Sequence, residues 1–215
     1  MAGRASAQAA LATRASILRV AADIASAEGL EGLSIGRLAA ETQMSKSGVI
    51  GQFGSKEKLQ LETADLAFGV FRDRVWEPVK HFEPGLPRLL ALCDTWIAYA
   101  ADPGFRGGCC MTQFTYEFDG RSGPVRERIE RGLKLWRATL TSDIAAAVAA
   151  GDLPGHADPG QVAFGLTSIA MGITPARLLH RDASVSDWAL HAMHAVLGLR
   201  QTYVGGNTAR RRARR

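Results

Sequence analysis

Residues 33–58, LSIGRLAAETQMSKSGVIGQFGSKEK, hold three serines that each stand one residue ahead of a helical pattern. Ser34 precedes Ile35, Leu38 and Ala39, Ser45 precedes a segment with Val49 and Phe53 four apart, and Ser55 precedes Lys56, Glu57 and Leu59. A serine oxygen in that place accepts a backbone N–H that the first helical turn leaves unpaired, so each marks a helix start. Val49 and Phe53 then share one face of the second segment. Two short helices joined by a tight turn, the first packed by Leu38 and Ala39 and the second carrying a small polar face, are the sequence form of a helix-turn-helix.

Outward from this stretch the chain keeps reading as helix. Upstream, Ile17, Leu18, Ala21, Ile24 and Ala25 line one face of a helix from about Thr13 to Glu28, which Gly29 stops. Residues 1–12 are Ala-rich and read as a flexible arm or an N-terminal extension of that helix. Downstream, Leu59, Leu61, Ala64, Leu66, Ala67, Val70 and Phe71 carry a helix from Ser55 to about Val75, and Pro78 ends it. Further helices are expected near 87–101, 110–119, 124–150, 159–180 and 185–203. Pro124 and Pro159 sit at first helical positions, where the missing N–H is harmless, and Asp158 is a good N-cap. No segment alternates with period two for long enough to argue a strand. The expected fold is all-α, about nine helices: a three-helix head at 13–61, a helical bundle at 62–204 and an Arg-rich tail at 205–215.

At 215 residues the chain can bury a real core. Hydrophobic residues make up 47%, yet no apolar run approaches the roughly 20 residues of a membrane span, and the start lacks the apolar core of a signal peptide. A cytoplasmic protein without membrane partners is expected. Three cysteines, two adjacent, form no disulfide framework. The net charge of +5 lies wholly in the tail: Arg210, Arg211, Arg212, Arg214 and Arg215 are five of 26 basic residues, leaving 21 against 21 acidic ones. A basic pI is therefore poor evidence for nucleic-acid binding by the body of the protein, although the tail can add non-specific phosphate contacts.

The run Thr13–Leu61 resembles the N-terminal domain of the TetR family of transcriptional regulators. The matching residues are Thr13, Arg14, Ile17, Ala21, Ala22, Glu28, Gly29, Ser34, Ile35, Leu38, Ala39, Met44, Ser45, Lys46, Phe53, Ser55, Lys56, Glu57 and Leu59, without a gap. The resemblance implies a recognition helix in the DNA major groove, with Ser45, Lys46, Ser47, Val49, Ile50, Gln52 and Phe53 at or near the duplex. Lys46, Lys56 and the helix starts near Thr13 and Ser55 would meet phosphates. Gln52, Ser47 and Ile50 would read base edges, with Ser34 and Arg37 contributing from the preceding helix. The chain departs from the family at the turn, where Gln43 replaces glycine, and before Phe53, where Ile50, Gly51 and Gln52 replace tyrosine, histidine and tyrosine.

The same resemblance implies a small-molecule effector of unknown identity, largely apolar, and no cofactor. Its expected lining is Trp96, Tyr99, Phe114, Tyr116, Trp136 and Phe164, with Gln113 and Thr115 as further polar anchors. It also implies a homodimer through the last two long helices, where Ala163, Gly165, Ala170, Gly172, Ala189, Ala192 and Ala195 permit close packing, and a palindromic operator that the effector releases. Three rival readings compete. Cys109 and Cys110 invite a redox or metal sensor, with His191 and His194 as the only local ligand pair. The loop Gly107–Cys110 with a histidine invites a nucleophilic enzyme, but nothing ties a histidine to it, so no catalytic or metal site is expected. A head used only for packing would make the chain an interaction protein.

Overall fold

The computed structural model describes residues 2–199, with side chains from residue 8 onward. Met1, the Arg-rich tail and the end expected for the last helix near residue 203 lie outside the described residues. Nine α-helices make up the described fold: α1 (Ala2–Glu28), α2 (Ile35–Glu41), α3 (Lys46–Phe53), α4 (Lys56–Phe71), α5 (Leu86–Ala101), α6 (Cys110–Phe118), α7 (Pro124–Ala150), α8 (Pro159–Leu178) and α9 (Val185–Val196). None is long and apolar enough to cross a membrane.

The caps work as the sequence indicates. Ser34, Ser45, Ser55 and Asp158 each accept the backbone N–H three residues on, from Arg37, Gly48, Lys58 and Gln161. Gln43 takes a φ of 56°, the left-handed region in which a glycine is unstrained.

The helix after Ser55 does not run on as one α-helix. It ends at Phe71 and a single π-helical turn, Arg72–Trp76, follows. Phe71, Val75 and Val79, four apart, are all buried. Four residues overshoot an α-turn and undershoot a π-turn, so joining the two keeps this row facing the body. The Thr95 hydroxyl donates to the Val75 carbonyl at 3.0 Å and holds the turn against α5.

Two cores result. The head core gathers Ile17, Ala21, Ile24, Leu30, Leu33, Leu38, Val49, Phe53 and Leu59, and it continues into the body through Phe105, Cys110, Phe114, Phe118, Val125 and Ile129. The body core is built on Phe71, which meets Trp96, Tyr99 and Trp136 edge-on at centroid distances of 6.0, 5.3 and 4.9 Å. Helix α4 runs between the two cores. Gly132 permits its close approach to α7, since a Cβ there would lie 2.5 Å from the Phe68 ring.

Candidate functional site

Helix α3 presents one exposed face, Lys46, Ser47, Ile50 and Gly51, opposite the buried Val49 and Phe53. Lys46 makes no ion pair among the described residues, and its stem lies over Gly36 of α2, 3.5 Å from where a Cβ would stand. Ile50 is 48% exposed although it is a large aliphatic residue. Nothing lies within 4 Å of a Cβ built on Gly51, so this face is open. It offers one cation, hydroxyl groups and an apolar patch, the chemistry that meets phosphates and base edges.

The geometry corrects the expected DNA contacts at Val49, Phe53 and Thr13 and shows what holds Ser34, Ser45, Arg37 and Lys56 within the head. Val49 and Phe53 are buried in the head core and hold α3 in place, so neither can reach a duplex. Thr13 is not at a helix start: α1 begins at Ala2, and the Thr13 hydroxyl donates back to the Ala9 carbonyl at 2.9 Å. The Ser34 and Ser45 hydroxyls are engaged in capping. Arg37 is held by Glu28 at 2.8 Å and Glu41 at 3.7 Å. Lys56 donates to the Glu31 carbonyl at 2.9 Å and carboxylate at 3.0 Å, and this bond, followed by the one from Gln60, holds Glu31 below its ordinary pKa. Lys58, absent from the expected set, is exposed beside the Ser55 cap and makes no ion pair among the described residues. Its signal was its place in the first turn of a capped helix. Arg14 lies over the Phe53 ring, pairs with Glu62 and donates to the Gln52 carbonyl, which fixes the end of α3.

The head is docked on the body by hydrogen bonds that each pair a backbone N–H of one with a side-chain oxygen of the other. The Glu117 carboxylate of α6 accepts the N–H groups of Leu30 at 2.7 Å and Glu31 at 2.8 Å. From the α5–α6 loop, the Arg106 N–H reaches Asp23 at 2.8 Å and the Gly107 N–H reaches the Ser26 hydroxyl at 2.9 Å. Gly107 has no room for a side chain: a Cβ would lie 2.2 Å from the Ser26–Ala27 backbone.

The body contains two clefts that share Trp136. The larger, about 710 Å³, lies among α6, α7 and α8, with Phe118, Leu133, Phe164 and Met171 as apolar walls and Thr115 and Thr167 at its sides. Of its charged lining residues, Arg126 and Lys134 both pair with Glu130 at 2.9 and 2.6 Å, and Asp119 and Arg137 stand beside them. The smaller, about 600 Å³, lies between α4 and α7 and is walled by Phe68, Phe71, Trp76, Met111 and Leu135. Of the residues expected to line a ligand, Trp136 borders both clefts and Phe164 the larger one. Trp96 and Tyr99 pack behind them and border neither. Phe114 belongs to the head core, and Tyr116 is 62% exposed to solvent, because α6 faces the head with one side and water with the other. Phe68, Phe71 and Trp76 escaped the sequence reading because they lie on the segment that joins head to body.

Burial pushes the Tyr99 phenol far above its ordinary pKa. It likewise raises the Cys93 thiol to about 12, and the Cys110 thiol above its usual range. A thiol sensor needs an accessible, readily ionised sulfur, so the burial of Cys109 and Cys110 argues against that reading. Among the described residues no three His, Cys, Asp or Glu side chains come together as a metal site.

Comparison with known proteins accords with this architecture. A profile described as "Tetracyclin repressor-like, C-terminal domain" matches residues 85–193, and one described as "Bacterial regulatory proteins, tetR family" matches residues 17–63. Among solved structures, a TetR transcriptional regulator from Chloroflexus aurantiacus J-10-FL is 25% identical, with 89% of this chain and 98% of that one covered and a TM-score of 0.79. A TetR-family regulator from Streptomyces coelicolor is 26% identical, covering 86% and 94%, with a TM-score of 0.72. AibR, solved with isovaleryl coenzyme A and operator DNA, shares the fold at 20% identity, covering 87% and 97%, with a TM-score of 0.70. No curated protein sequence matches the chain. With a helix-turn-helix head and a helical body each matched in order, and the first of these profiles alone spanning half the chain, the protein belongs to the TetR family of DNA-binding transcriptional regulators.

Proposed function

We propose that the protein is a ligand-responsive repressor that binds a palindromic operator as a homodimer and leaves it when a small effector occupies the body. Residues 13–61 act as the DNA-binding unit and 62–204 as the effector and dimerisation unit. The observation that carries this reading is the exposed face of α3, polar and cationic around an exposed isoleucine, on a head whose other side is fully packed. Lys46 and Lys58 contact phosphates, joined by Lys56 when it leaves Glu31. Ser47, Ile50 and Gln52 meet base edges, and Arg37 reaches the backbone by exchanging Glu28 for a phosphate.

Dimerisation through α8 and α9 is supported by apolar side chains left in water on these helices: Phe164 is 71% exposed, Leu178 51% and Trp188 57%, and the small Gly172 and Ala192 are exposed on the same two helices. A two-fold dimer would set its recognition helices about 34 Å or a multiple apart. Helices α4 and α6 each touch both a cleft and the head, α6 through Glu117, so a ligand that favours one setting of these helices shifts the separation of the heads. DNA and effector then weaken each other by the same factor. AibR, solved with both a ligand and operator DNA, offers the precedent.

The test is a fluorescence-anisotropy titration of the full chain on DNA from upstream of its own coding sequence, against unrelated competitor. Two protomers per site and resistance to competitor are expected. Lys46→Ala should weaken binding and lower the slope of log K against log salt by about one. Binding that competitor abolishes, or a Lys46→Ala protein indistinguishable from wild type, would overturn the repressor reading. Trp188→Asp should yield monomers by light scattering, and a dimer that survives it would remove α9 from the interface.

A further inference from the structure

The α4–α7 cleft differs from the larger one in its charges. Three arginines, Arg72, Arg128 and Arg131, stand among its lining residues against one carboxylate, Asp65. Asp65 is taken up by Arg128, and Arg72 turns to Asp73 at 2.8 Å, outside the lining, whereas Arg131 makes no ion pair among the described residues. The larger cleft has three cations, Arg126, Lys134 and Arg137, against two carboxylates, Asp119 and Glu130, so its excess of positive charge is smaller, and its wall Phe164 lies on the α8 surface that dimerisation would cover or reshape. The second observation concerns Trp136, a wall shared by both clefts and only 8% exposed, whose indole N–H has no acceptor among the described residues. A buried donor of this kind is stabilised by any acceptor that reaches it. The remaining apolar walls are the aromatic Phe68, Phe71 and Trp76 together with Met111 and Leu135.

We propose that the effector is an amphiphilic organic anion seated between α4 and α7, with its apolar body against Phe68, Phe71 and Trp76 and its acidic head at Arg131. A hydrogen-bond acceptor on the body takes the Trp136 N–H. Arginine suits the head because its planar fork meets a carboxylate, sulfonate or phosphate with two parallel hydrogen bonds. The position also explains how occupancy is felt at the DNA: Phe68 and Phe71 belong to α4, whose first turn is part of the head, and Gly132 leaves no slack between Phe68 and α7. The proposal rests on the reading of the chain as a ligand-responsive regulator.

The experiment uses two fluorescent probes with nearly the same ring skeleton, 8-anilinonaphthalene-1-sulfonate and the uncharged N-phenyl-1-naphthylamine, titrated into the full chain. The sulfonate should bind about tenfold more tightly. Arg131→Gln should weaken the sulfonate about three- to tenfold and leave the neutral probe within about twofold, whereas Arg137→Gln, in the larger cleft, should change neither. Trp136→Phe should weaken both. Circular dichroism confirms that each variant is folded, and Arg131 is exposed, so its loss should leave the fold intact. Equal binding of the two probes, no effect of Arg131→Gln, or an Arg137→Gln that takes the effect instead would overturn the proposal. Operator titrations with and without the sulfonate separate the two readings. A sulfonate that depends on Arg131 but leaves DNA affinity unchanged keeps the site and refutes the ligand-responsive function. Specific DNA binding with no charge preference in the probes keeps the regulator and refutes the anion.

Discussion

Head and body solve the problem of burying polar groups in opposite ways. In the head, the buried Gln60 amide donates to the Leu30 carbonyl at 3.0 Å and to Glu31 at 3.1 Å, Thr63 donates to Leu59 and Ser26 to Asp23. In the body, the Trp136 indole N–H and the Thr174 hydroxyl are buried with no partner among the described residues. The head is closed by small and aliphatic side chains, and the body by aromatic rings that meet edge-on and leave two clefts beside Trp136. A region whose polar atoms are all satisfied has one good arrangement, while one with orphaned donors and open clefts gains from a further molecule. The contrast suits the proposed division between a head that presents a fixed surface and a body that responds to a ligand.

The sharpest way to break this contrast is at the body's own exception. The Asp143 side chain is fully buried and is held by Arg88, whose guanidinium also lies over the Trp76 ring. Arg88→Ala strands a buried carboxylate and should destabilise the protein by about 3–5 kcal/mol in urea unfolding. A loss under about 1 kcal/mol would mean that water reaches Asp143 and that the body is looser than described. Next in size is the seam: Gly107→Ala drives a methyl into the α1 backbone and should cost about 1–3 kcal/mol. Because it separates the docked regions, differential scanning calorimetry should resolve two transitions where the parent has one.

Within the head the expected effects are smaller. Gln43→Gly relieves the residue at φ 56° and should stabilise by about 1 kcal/mol, read as a rise in melting temperature. An unchanged or lower melting temperature would show that the glutamine side chain compensates the backbone. The smallest effect is a pH dependence. Glu31 has its pKa lowered by Lys56 first and Gln60 second, so its contribution is complete above the ordinary value near 4.5 and is lost as pH falls through the lowered one. The group is largely exposed, which limits the effect to about 0.5 kcal/mol. Lys56→Gln should reduce the difference in stability between pH 7 and pH 3, and an identical pH profile in the variant would remove Lys56 as the cause.

Local chemistry made much of the fold legible. Ser34, Ser45, Ser55 and Asp158 announce helix starts because a cap needs only one oxygen and an N–H three residues away. Gln43 takes its positive φ at the turn position where the resemblance has glycine. The assignment of single side chains to the DNA was less legible. Val49 and Phe53 lie in the recognition helix and yet point inward, and Thr13 loses its role once α1 extends back to Ala2.

By itself, then, the amino-acid sequence determined the number and order of helices, the helix-turn-helix and the family, all of which rest on contacts between residues near one another in the chain. Only the tertiary structure decided which rings meet. Periodicity says that Phe114 faces inward, but α6 lies between two cores, and its packing against α1 sends that ring to the head. It likewise cannot say that Lys56 is tied to Glu31, that Glu117 docks the head, or that Phe71, Trp96, Tyr99 and Trp136 converge. Those partners come from helices distant in sequence, and their meeting is set by how whole helices pack.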